Sequence, residues 1–422
     1  MAHRPLLSWL LPGLRIKRWL AVILAGIVFA VLACLLFIAY LSGTSDPGFG
    51  PSFSDILLAA LLFLVVAAVA LTVGFYRLLK SVVELLKGRS LNKDLIDLAY
   101  ERRYLGLGPA VVCLGGGTGL STLLSGLKEH TAQITAVVSM ADDGGSSGKL
   151  RRDFDIAPPG DIRKCMVALA DEDPMIRHLM DYRFPAEELE GHSFGNLLLT
   201  VMARIRGDFG EGVRDANRLF GVRGAVVPAT LDQITLMAHH ADGTRTIGQK
   251  AITQVSKRIV NLQLIPDVKK IAPDIEQALA KAELVVLGPG SLFTSVLPNM
   301  LISGMVEALE RCPARKVLVV NGSNAEGETH DFRVQDHVEA VVKLTAPHRI
   351  FDVVLIHKGP KDDVLKRRIQ ESGAQWCEGM LEGAIAEQVK VVYADVLDEN
   401  SPRRHDPQKL ARALMDILRA RE

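Results

Sequence analysis

The segment AVVCLGGGTGLS, residues 110–121, joins an apolar run to a glycine-rich turn and the start of a helical pattern. Its β-branched residues predict a buried strand, and STLLSGLKEH, residues 121–130, predicts the helix that follows. Glycines let the backbone approach an anion closely, and a helix N-terminus offers free N–H groups and a positive dipole end. We therefore expect contact with a phosphate or nucleotide here; the alternative is a purely structural tight turn. The residues expected at this ligand are Gly115, Gly116, Gly117, Thr118 and Gly119.

The glycine spacing in this turn is G-x-G-x-G, and Leu120 stands where a dinucleotide fingerprint would have its third glycine. The chain also has no G-x-x-x-x-G-K-[ST] phosphate loop. This spacing argues against a nicotinamide-dependent dehydrogenase. Thr118 or Ser121 is expected to cap the following helix.

Further apolar runs follow along the chain, namely ITAVVSM (134–140), AELVVLGPG (282–290), ARKVLVVNG (314–322), FDVVLIHKG (351–359) and VKVVYADV (389–396). Nearly continuous apolar strands that alternate with helical patterns predict a parallel sheet covered on both faces. We therefore expect residues 110–422 to form a Rossmann-like three-layer α/β domain with a mainly parallel sheet. Because ligands of such sheets bind beyond the carboxyl ends of the strands, the loops there are the candidates for function. Asp242-Gly243, between two alternating runs, predicts a β-hairpin.

The composition of the chain limits the classes of partner that we expect. Of its 422 residues 49% are hydrophobic, and the net charge is +1 at pH 7. Nucleic-acid-binding proteins usually show a basic surplus or stripe, so we expect no nucleic-acid partner. The cysteines show neither zinc spacing nor a Cys/His cluster, which predicts reduced, buried thiols. We also expect no tightly bound organic cofactor. These cysteines are Cys34, Cys113, Cys165, Cys312 and Cys377.

Two uncharged apolar stretches precede this domain, at residues 19–41 and 56–76. A helix rises about 1.5 Å per residue, so ~20 apolar residues cross the ~30 Å hydrocarbon core of a bilayer. The first stretch is too long for the apolar part of a cleaved signal peptide, and a second span follows it. Residues 1–79 are therefore expected to form a two-span hairpin whose partner is the lipid bilayer.

Basic residues lie outside both ends of this hairpin, whereas its connection, residues 42–55, has no Lys or Arg. Such an asymmetry predicts that both ends face the cytoplasm, with the main domain in the bacterial cytoplasm. Residues 80–109 are amphipathic and charged, and we interpret them as a juxtamembrane linker that ends at Pro109. The basic residues are Arg15, Lys17, Arg18, Arg77, Lys80, Lys87 and Arg89.

A second glycine-rich loop, GPGSLFTS, covers residues 288–295 after another predicted strand. It also fits an anion site at a helix start, although Gly-Pro turns are common in any role. Two such loops on one parallel sheet suggest a ligand with separated polar parts, such as a nucleotide diphosphate sugar. The expected ligand-binding residues are Gly288, Gly290, Ser291 and Thr294.

The third loop is ADDGGSSGKLRRDF, residues 141–154, which follows the second predicted strand. An aspartate there is placed to accept from a ribose hydroxyl, and adjacent carboxylates also suit Mg²⁺, which takes oxygen ligands. The glycines and serines favour a backbone nest over a solvated acidic turn. The expected ligand residues are Asp142, Asp143, Gly144, Gly145, Ser146 and Ser147. Asp161 is either a third metal ligand, with Asp142 and Asp143, or a helix N-cap.

Two further segments carry candidate ligand-binding residues. GHSFGNLLLT, residues 191–200, places His192 and Asn196 at the head of an apolar helix, where capping and packing compete with ligand binding. SPRRHDPQKL, residues 401–410, places Arg404 just before a helix, and Arg suits bidentate recognition of phosphate. The alternative for Arg404 is an exposed run of charge.

Together these segments resemble the YvcK-type gluconeogenesis factor family, a relative of the CofD-type 2-phospho-L-lactate transferases. The resemblance covers residues from about 110 to the end, and the hairpin lies outside it. It rests on ordered motifs: CLGGGTGLSTLLSGLK, ADDGGSSGKLRRDF, PPGDIRKCMVAL, GHSFGNLLL, VPATLDQITLMA, LGPGSLFTSVLPNML and EGET.

The resemblance implies a Rossmann-like domain that binds UDP-sugars, notably UDP-N-acetylglucosamine. It also implies a role in cell shape and peptidoglycan synthesis on gluconeogenic carbon. In the transferase relatives, aspartates at positions that resemble Asp142 or Asp143, and Asp161, hold a divalent metal. Two hypotheses follow: a membrane-tethered UDP-sugar-binding regulator without catalysis, and a Mg²⁺-dependent transferase acting on a phosphorylated or nucleotide-activated substrate. We further expect a homo-oligomer and protein partners in cell-wall synthesis or regulation.

Overall fold

The structure is a computed structural model of the chain. The chain divides into two compact units, Met1–Tyr100 and Glu101–Glu422, and each is described by itself. The residues that the structure describes are 16–42, 53–87, 104–170, 174–267, 270–325, 327–359, 363–371, 375–401 and 403–420.

The N-terminal unit consists of two long apolar helices in its described part, α1 (Ile16–Ser42) and α2 (Phe53–Lys87). The stretches long and apolar enough to cross a membrane are Arg18–Leu41 and Ser54–Ser81, in agreement with the two predicted spans. Gly26 of α1 and Gly74 of α2 let the two backbones approach, because a Cβ on Gly26 would lie 2.9 Å from Cγ of Leu71. Beyond Lys87, residues 88–103 of the predicted linker lie outside the described residues.

The second unit contains all the strands that the structure describes. They are β1 (Val111–Gly115), β2 (Ile134–Val138), β3 (Ala225–Pro228), β4 (Thr235–His240), β5 (Arg245–Ile247), β6 (Ile259–Ile265), β7 (Leu284–Leu287), β8 (Arg315–Val319), β9 (Ser323–Asn324), β10 (Val353–His357), β11 (Gln375–Trp376) and β12 (Lys390–Ala394).

The helices of this unit mostly connect successive strands. They are α3 (Gly117–Leu127), α4 (Gly145–Phe154), α5 (Gly160–Leu169), α6 (Pro174–Asp181), α7 (Phe194–Arg206), α8 (Phe209–Leu219), α9 (Gln249–Thr253), α10 (Pro273–Lys281), α11 (Leu297–Met300), α12 (Met305–Arg311), α13 (Val334–Thr345), α14 (Asp363–Glu371), α15 (Gly383–Gln388) and α16 (Pro407–Arg419). A π-helical turn, Leu292–Val296, leads into α11.

Within the described residues, a seven-stranded sheet with the order β12-β10-β8-β7-β1-β2-β3 forms the centre of the unit, and every neighbouring pair is parallel. Strands β1, β7 and β10 are buried at every position, as expected when helices cover both faces of a sheet. This confirms the predicted Rossmann-like three-layer α/β fold. The chain builds outward from β1 to β3, then returns to β7 on the other side of β1. The crevice where ligands of such sheets bind therefore lies between β1 and β7.

Two smaller antiparallel sheets accompany the main one in the described part of the chain. The β4–β5 hairpin turns at Asp242-Gly243, as predicted, and Gly243 takes the positive φ of 81° that such a turn needs. Strand β6 pairs with β4 on its other side. Strand β3 was not predicted, because an apolar run of only four residues after a helix is too short to be distinguished from a loop by its periodicity.

Candidate functional site

The carboxyl ends of β1, β2 and β7 bring the three predicted loops to one edge of the sheet. A Cβ on Gly116, after β1, would lie 3.1 Å from Asp161 Oδ2 and 3.4 Å from Cβ of Ser295. A Cβ on Gly119 would lie only 2.6 Å from Cα of Gly290. The first and second loops thus touch backbone to backbone, which only glycine allows.

Helix α3 starts at this edge without a side-chain cap. Its N-cap is Gly116, which forms no side-chain capping hydrogen bond, and Gly117 begins the helix with a φ of 60°. The expectation that Thr118 or Ser121 caps the helix is wrong, because the helix begins before both residues. Ser121 Oγ instead donates to the carbonyl of Thr118, 3.0 Å away. The N-terminus of α3 therefore keeps the character of an anion site.

A cavity of about 400 Å³ lies at the start of α3. It brings together five residues that the sequence analysis selected: Thr118, Gly119, Gly290, Ser291 and Arg404. It also includes residues that were not selected, most of them from NGSNAEGET, residues 321–329, which follows β8. This segment follows strand β8 and so reaches the carboxyl edge of the sheet, where ligands of such sheets bind. These additional lining residues are Asn321, Gly322, Ser323, Asn324, Ala325, Glu328, Thr329, Ser401, Arg403 and His405, with Thr122, Pro289 and Leu292.

The second loop already holds an anionic group from within the chain. Glu328 is 4% exposed, and its carboxylate accepts from Thr294 Oγ1 at 2.7 Å and from the N–H of Phe293 at 3.3 Å. Burial raises the pKa of Glu328, and these hydrogen bonds oppose that shift. The N–H groups predicted to receive a ligand phosphate at Thr294 are thus occupied by Glu328. Asn321 closes the same loop, with Nδ2 2.7 Å from the carbonyl of Gly290.

Asp142 and Asp161 form a buried acidic pair beside Gly116. Burial raises the pKa of Asp142, and the neighbouring carboxylate of Asp161 raises it further. Asp142 Oδ1 accepts from the N–H of Gly144 at 3.0 Å. Asp161 is not the N-cap of α5, which is Pro159. It lies in the first turn instead, where it pairs with Lys164 Nζ at 2.9 Å.

Asp143 is engaged elsewhere. Its Oδ1 accepts from the N–H of Lys250 at 2.8 Å, and its other carboxylate oxygen lies against Gly248. Among the described residues, no group of three or more His, Cys, Asp and Glu side chains is arranged to hold a metal ion. The three-aspartate magnesium site therefore stays a prediction, with Asp142 and Asp161 as the pair that the fold brings together.

The serines of the third loop are fixed by helix α7 and by the start of α5. Ser146 Oγ lies 3.0 Å from His192 Nδ1 and accepts from Asn196 Nδ2 at 3.1 Å. Since Asn196 donates, the Ser146 hydroxyl hydrogen is available to a neutral His192, whose pKa is lowered by burial and by nearby Lys149. Ser147 Oγ accepts from the N–H of Gly160 at 3.1 Å. The structure thus joins predicted residues from two distant segments, and Ser193 is the helix cap.

Comparison with known proteins shows which families and proteins this chain is similar to. A family model described as 2-phospho-L-lactate transferase CofD matches residues 111–397. The gluconeogenesis factor of Bacillus subtilis (strain 168) is 37% identical over 317 residues, which cover 75% of this chain and 100% of that protein. A gluconeogenesis factor homologue of Nostoc sp. (strain PCC 7120) is 39% identical over 421 residues, 97% of this chain and 91% of that protein. At that coverage the similarity to the Nostoc protein includes both apolar helices.

A solved structure shows the same fold in the second unit. The crystal structure of a UPF0052 family member from Bacillus halodurans superposes with a TM-score of 0.68 at 39% sequence identity. It covers 72% of this chain and 99% of that one. Family model, curated relatives and solved structure agree: the chain belongs to the CofD family, and its relatives in that family are gluconeogenesis factors.

Proposed function

We propose that the chain is a membrane-tethered regulator that binds a UDP-sugar, with UDP-N-acetylglucosamine as the expected ligand. The observation that carries the proposal is the cavity between the uncapped N-terminus of α3 and Arg404. A helix N-terminus and a guanidinium group both favour phosphate oxygens. The glycines at Gly119 and Gly290 leave the backbone open on the same side.

The charges around the cavity indicate which way such a ligand lies. The diphosphate suits the α3 end, where N–H groups and Arg404 offer positive potential. The Glu328 end already holds a buried carboxylate and repels a second anion. Hydroxyl-bearing parts of the ligand suit that end, with Asn321 as a hydrogen-bonding partner.

The regulatory part of the proposal rests on the names of the relatives, which are gluconeogenesis factors. We propose that ligand binding reports the supply of cell-wall precursors and so influences cell shape and peptidoglycan synthesis. The apolar helices would tether the domain to the membrane from the cytoplasmic side, consistent with the flanking basic residues. A homo-oligomer and cell-wall or regulatory protein partners belong to the same proposal.

Ligand-induced stabilisation tests this proposal on the full chain in detergent micelles. A ligand that binds only the folded state at 100 times its Kd adds about 2.7 kcal/mol to the unfolding free energy, so UDP-N-acetylglucosamine should raise Tm. Arg404→Gln should reduce the shift, and Arg218→Gln, at an exposed arginine of α8, should not. An unchanged Tm at millimolar ligand would exclude the proposal.

A second candidate, the Mg²⁺-dependent transferase, is favoured by the buried Asp142–Asp161 pair. The pKa of Asp142 is raised by burial and by the neighbouring Asp161 carboxylate, and such a pair of carboxylates fits a divalent cation, which takes oxygen ligands. Asp142 and Asp161 would hold Mg²⁺, and the metal would neutralise charge on a transferring phosphate. Product formation from UDP-sugars or GTP with Mg²⁺, compared with Asp142→Asn, tests it. Turnover that survives this substitution would argue against the site.

A further inference from the structure

A short segment between β12 and α16 forms part of the cavity wall. Ser401, Arg403, Arg404 and His405 line the cavity from this segment, and we call these four residues the arginine arm. Their backbone is held at both ends: the N–H of Asp398 donates to the carbonyl of Arg404 at 3.0 Å, and the N–H of Asp406 donates to the carbonyl of Val396 at 2.9 Å. The arm is therefore an anchored loop in which Arg404 is exposed to solvent.

His405 is the buried residue of the arm. It is 7% exposed although its neighbours in the arm are open to solvent. Its ring donates a hydrogen bond to the carbonyl of Val320, and because Nε2 has no protein partner, the donor is Nδ1. Val320 directly precedes Asn321, whose side chain bonds Gly290 in the second loop. His405 thus connects the arm to the segment after β8, which also lines the cavity.

A second buried imidazole lies beside His405. His357, at the end of β10, accepts from the N–H of Val396 at Nδ1, 3.1 Å away, so its hydrogen is on Nε2. That Nε2 is buried without a protein partner, as is Nε2 of His405, which carries no hydrogen. Trp376 packs edge-on against the His357 ring, with the two ring centroids 5.2 Å apart.

We propose that His405 is a positioning residue for ligand binding: its buried ring, hydrogen-bonded to the carbonyl of Val320, holds Arg404 in the wall of the cavity that the start of α3 also lines. This inference rests on the proposed UDP-sugar site. His405 acts through Arg404, whose guanidinium is the group that meets the diphosphate. Without the imidazole, the arm loses the hydrogen bond to Val320 and Arg404 samples other positions, which costs affinity because ordering it is then part of binding.

A double-mutant cycle on the full chain in detergent tests the inference, with UDP-N-acetylglucosamine affinity as the readout. His405→Leu should weaken binding about tenfold, the scale of one hydrogen bond to a charged network. His405→Asn, which keeps a donor near the Nδ1 position, should recover most of that loss. In an Arg404→Gln background, His405→Leu should have no further effect. His239→Leu, at a histidine of β4 whose Nε2 lies 3.0 Å from Gln263 Oε1, is the control.

A ligand-free readout separates failure of this inference from failure of the ligand proposal. Trypsin should cut after Arg403 and Arg404 faster in His405→Leu than in the wild type, while cleavage elsewhere is unchanged. Equal cleavage rates overturn the inference even if no UDP-sugar binds, and so does an undiminished effect of His405→Leu in the Arg404→Gln background. If His405→Leu does not fold, His405→Gln, which displaces the donor, takes its place in both comparisons.

Discussion

Glu328 brings a carboxylate to a position where the second glycine-rich loop would otherwise offer its N–H groups to a ligand. The side chain satisfies Phe293 and Thr294 at once. A buried donor that loses its only partner costs about 1–3 kcal/mol. A single residue thus changes the loop from an external anion site into an internally capped turn.

Glu328→Ala should therefore lower the free energy of unfolding by ~2 kcal/mol, because it leaves the hydroxyl of Thr294 and the N–H of Phe293 without their acceptor. Urea denaturation of residues 104–422 measures it, since relatives of that length exist as whole proteins. Glu339→Ala, at an exposed glutamate of α13, should change stability by less than ~0.5 kcal/mol. Similar losses in both variants would contradict the capping role.

His337 makes stability depend on pH. Burial lowers its pKa to about 4, and its Nε2–H donates to Asn324 Oδ1 at 2.9 Å. Because the unfolded chain binds the proton near pH 6.5, stability falls as the pH drops from 6.5 towards 4, by up to ~1.4 kcal/mol per pH unit for this residue. Buried carboxyls with raised pKa, such as Asp142 and Glu328, act in the opposite direction over part of that range.

The contribution of His337 is isolated by comparing wild type with His337→Gln. The stability difference between the two should shrink as the pH falls from 7 to 5 in urea denaturation series of residues 104–422. A difference that stays constant across that range would show that His337 is not neutral in the folded protein.

At the scale of elements, the start of α3 and the loop after β7 form one unit. Gly119 explains why the glycine spacing departs from a dinucleotide fingerprint. Its missing side chain makes room for Gly290, whereas Leu120, at the fingerprint position, is fully buried in the core. In this chain the third glycine serves contact between loops, and helix–sheet packing is left to a leucine.

Gly119→Ala should abolish UDP-sugar binding and lower stability, because its Cβ would lie 2.6 Å from Cα of Gly290 and 2.7 Å from the carbonyl oxygen of Pro289, both backbone atoms that cannot rotate away. Thermal unfolding with and without UDP-N-acetylglucosamine measures both effects. Gly106→Ala is a matched control, since a Cβ there meets nothing within 4 Å. A Gly119→Ala variant that binds normally would show that the two loops separate freely.

At the scale of the whole molecule, the two apolar helices differ in composition from the α/β domain. Helices α1 and α2 are each long and apolar enough to cross a bilayer. The basic residues that flank them predict that the connection, residues 42–55, faces away from the cytoplasm.

Cysteine labelling tests that orientation in a cysteine-free background. A membrane-impermeant thiol reagent should label Asp46→Cys on intact cells and leave Arg89→Cys unlabelled until the cells are permeabilised. The reverse pattern would place the α/β domain outside the cytoplasm.

Features that depend on residues close together in the sequence were predicted better than features that depend on distant residues. The strand runs named in the sequence analysis and the hairpin turn at Asp242-Gly243 were predicted, because they depend on residues within a few positions of each other. The N-caps of α3 and α5 lie two to five residues before the predicted positions Thr118, Ser121 and Asp161. They are Gly116 and Pro159, and neither forms a side-chain capping hydrogen bond.

The sequence by itself determined the two apolar helices and the alternation of buried strands and helices, because hydrophobic periodicity is a local property. Only the tertiary structure decided which loops meet. The order of the parallel strands brings Gly119 to Gly290, Ser146 to His192 and Arg404 to the start of α3. It also decided that Glu328 fills one of the two glycine-rich loops and leaves the other open. The physical reason is that a free N–H group is an anion site only if no side chain from a distant segment reaches it first.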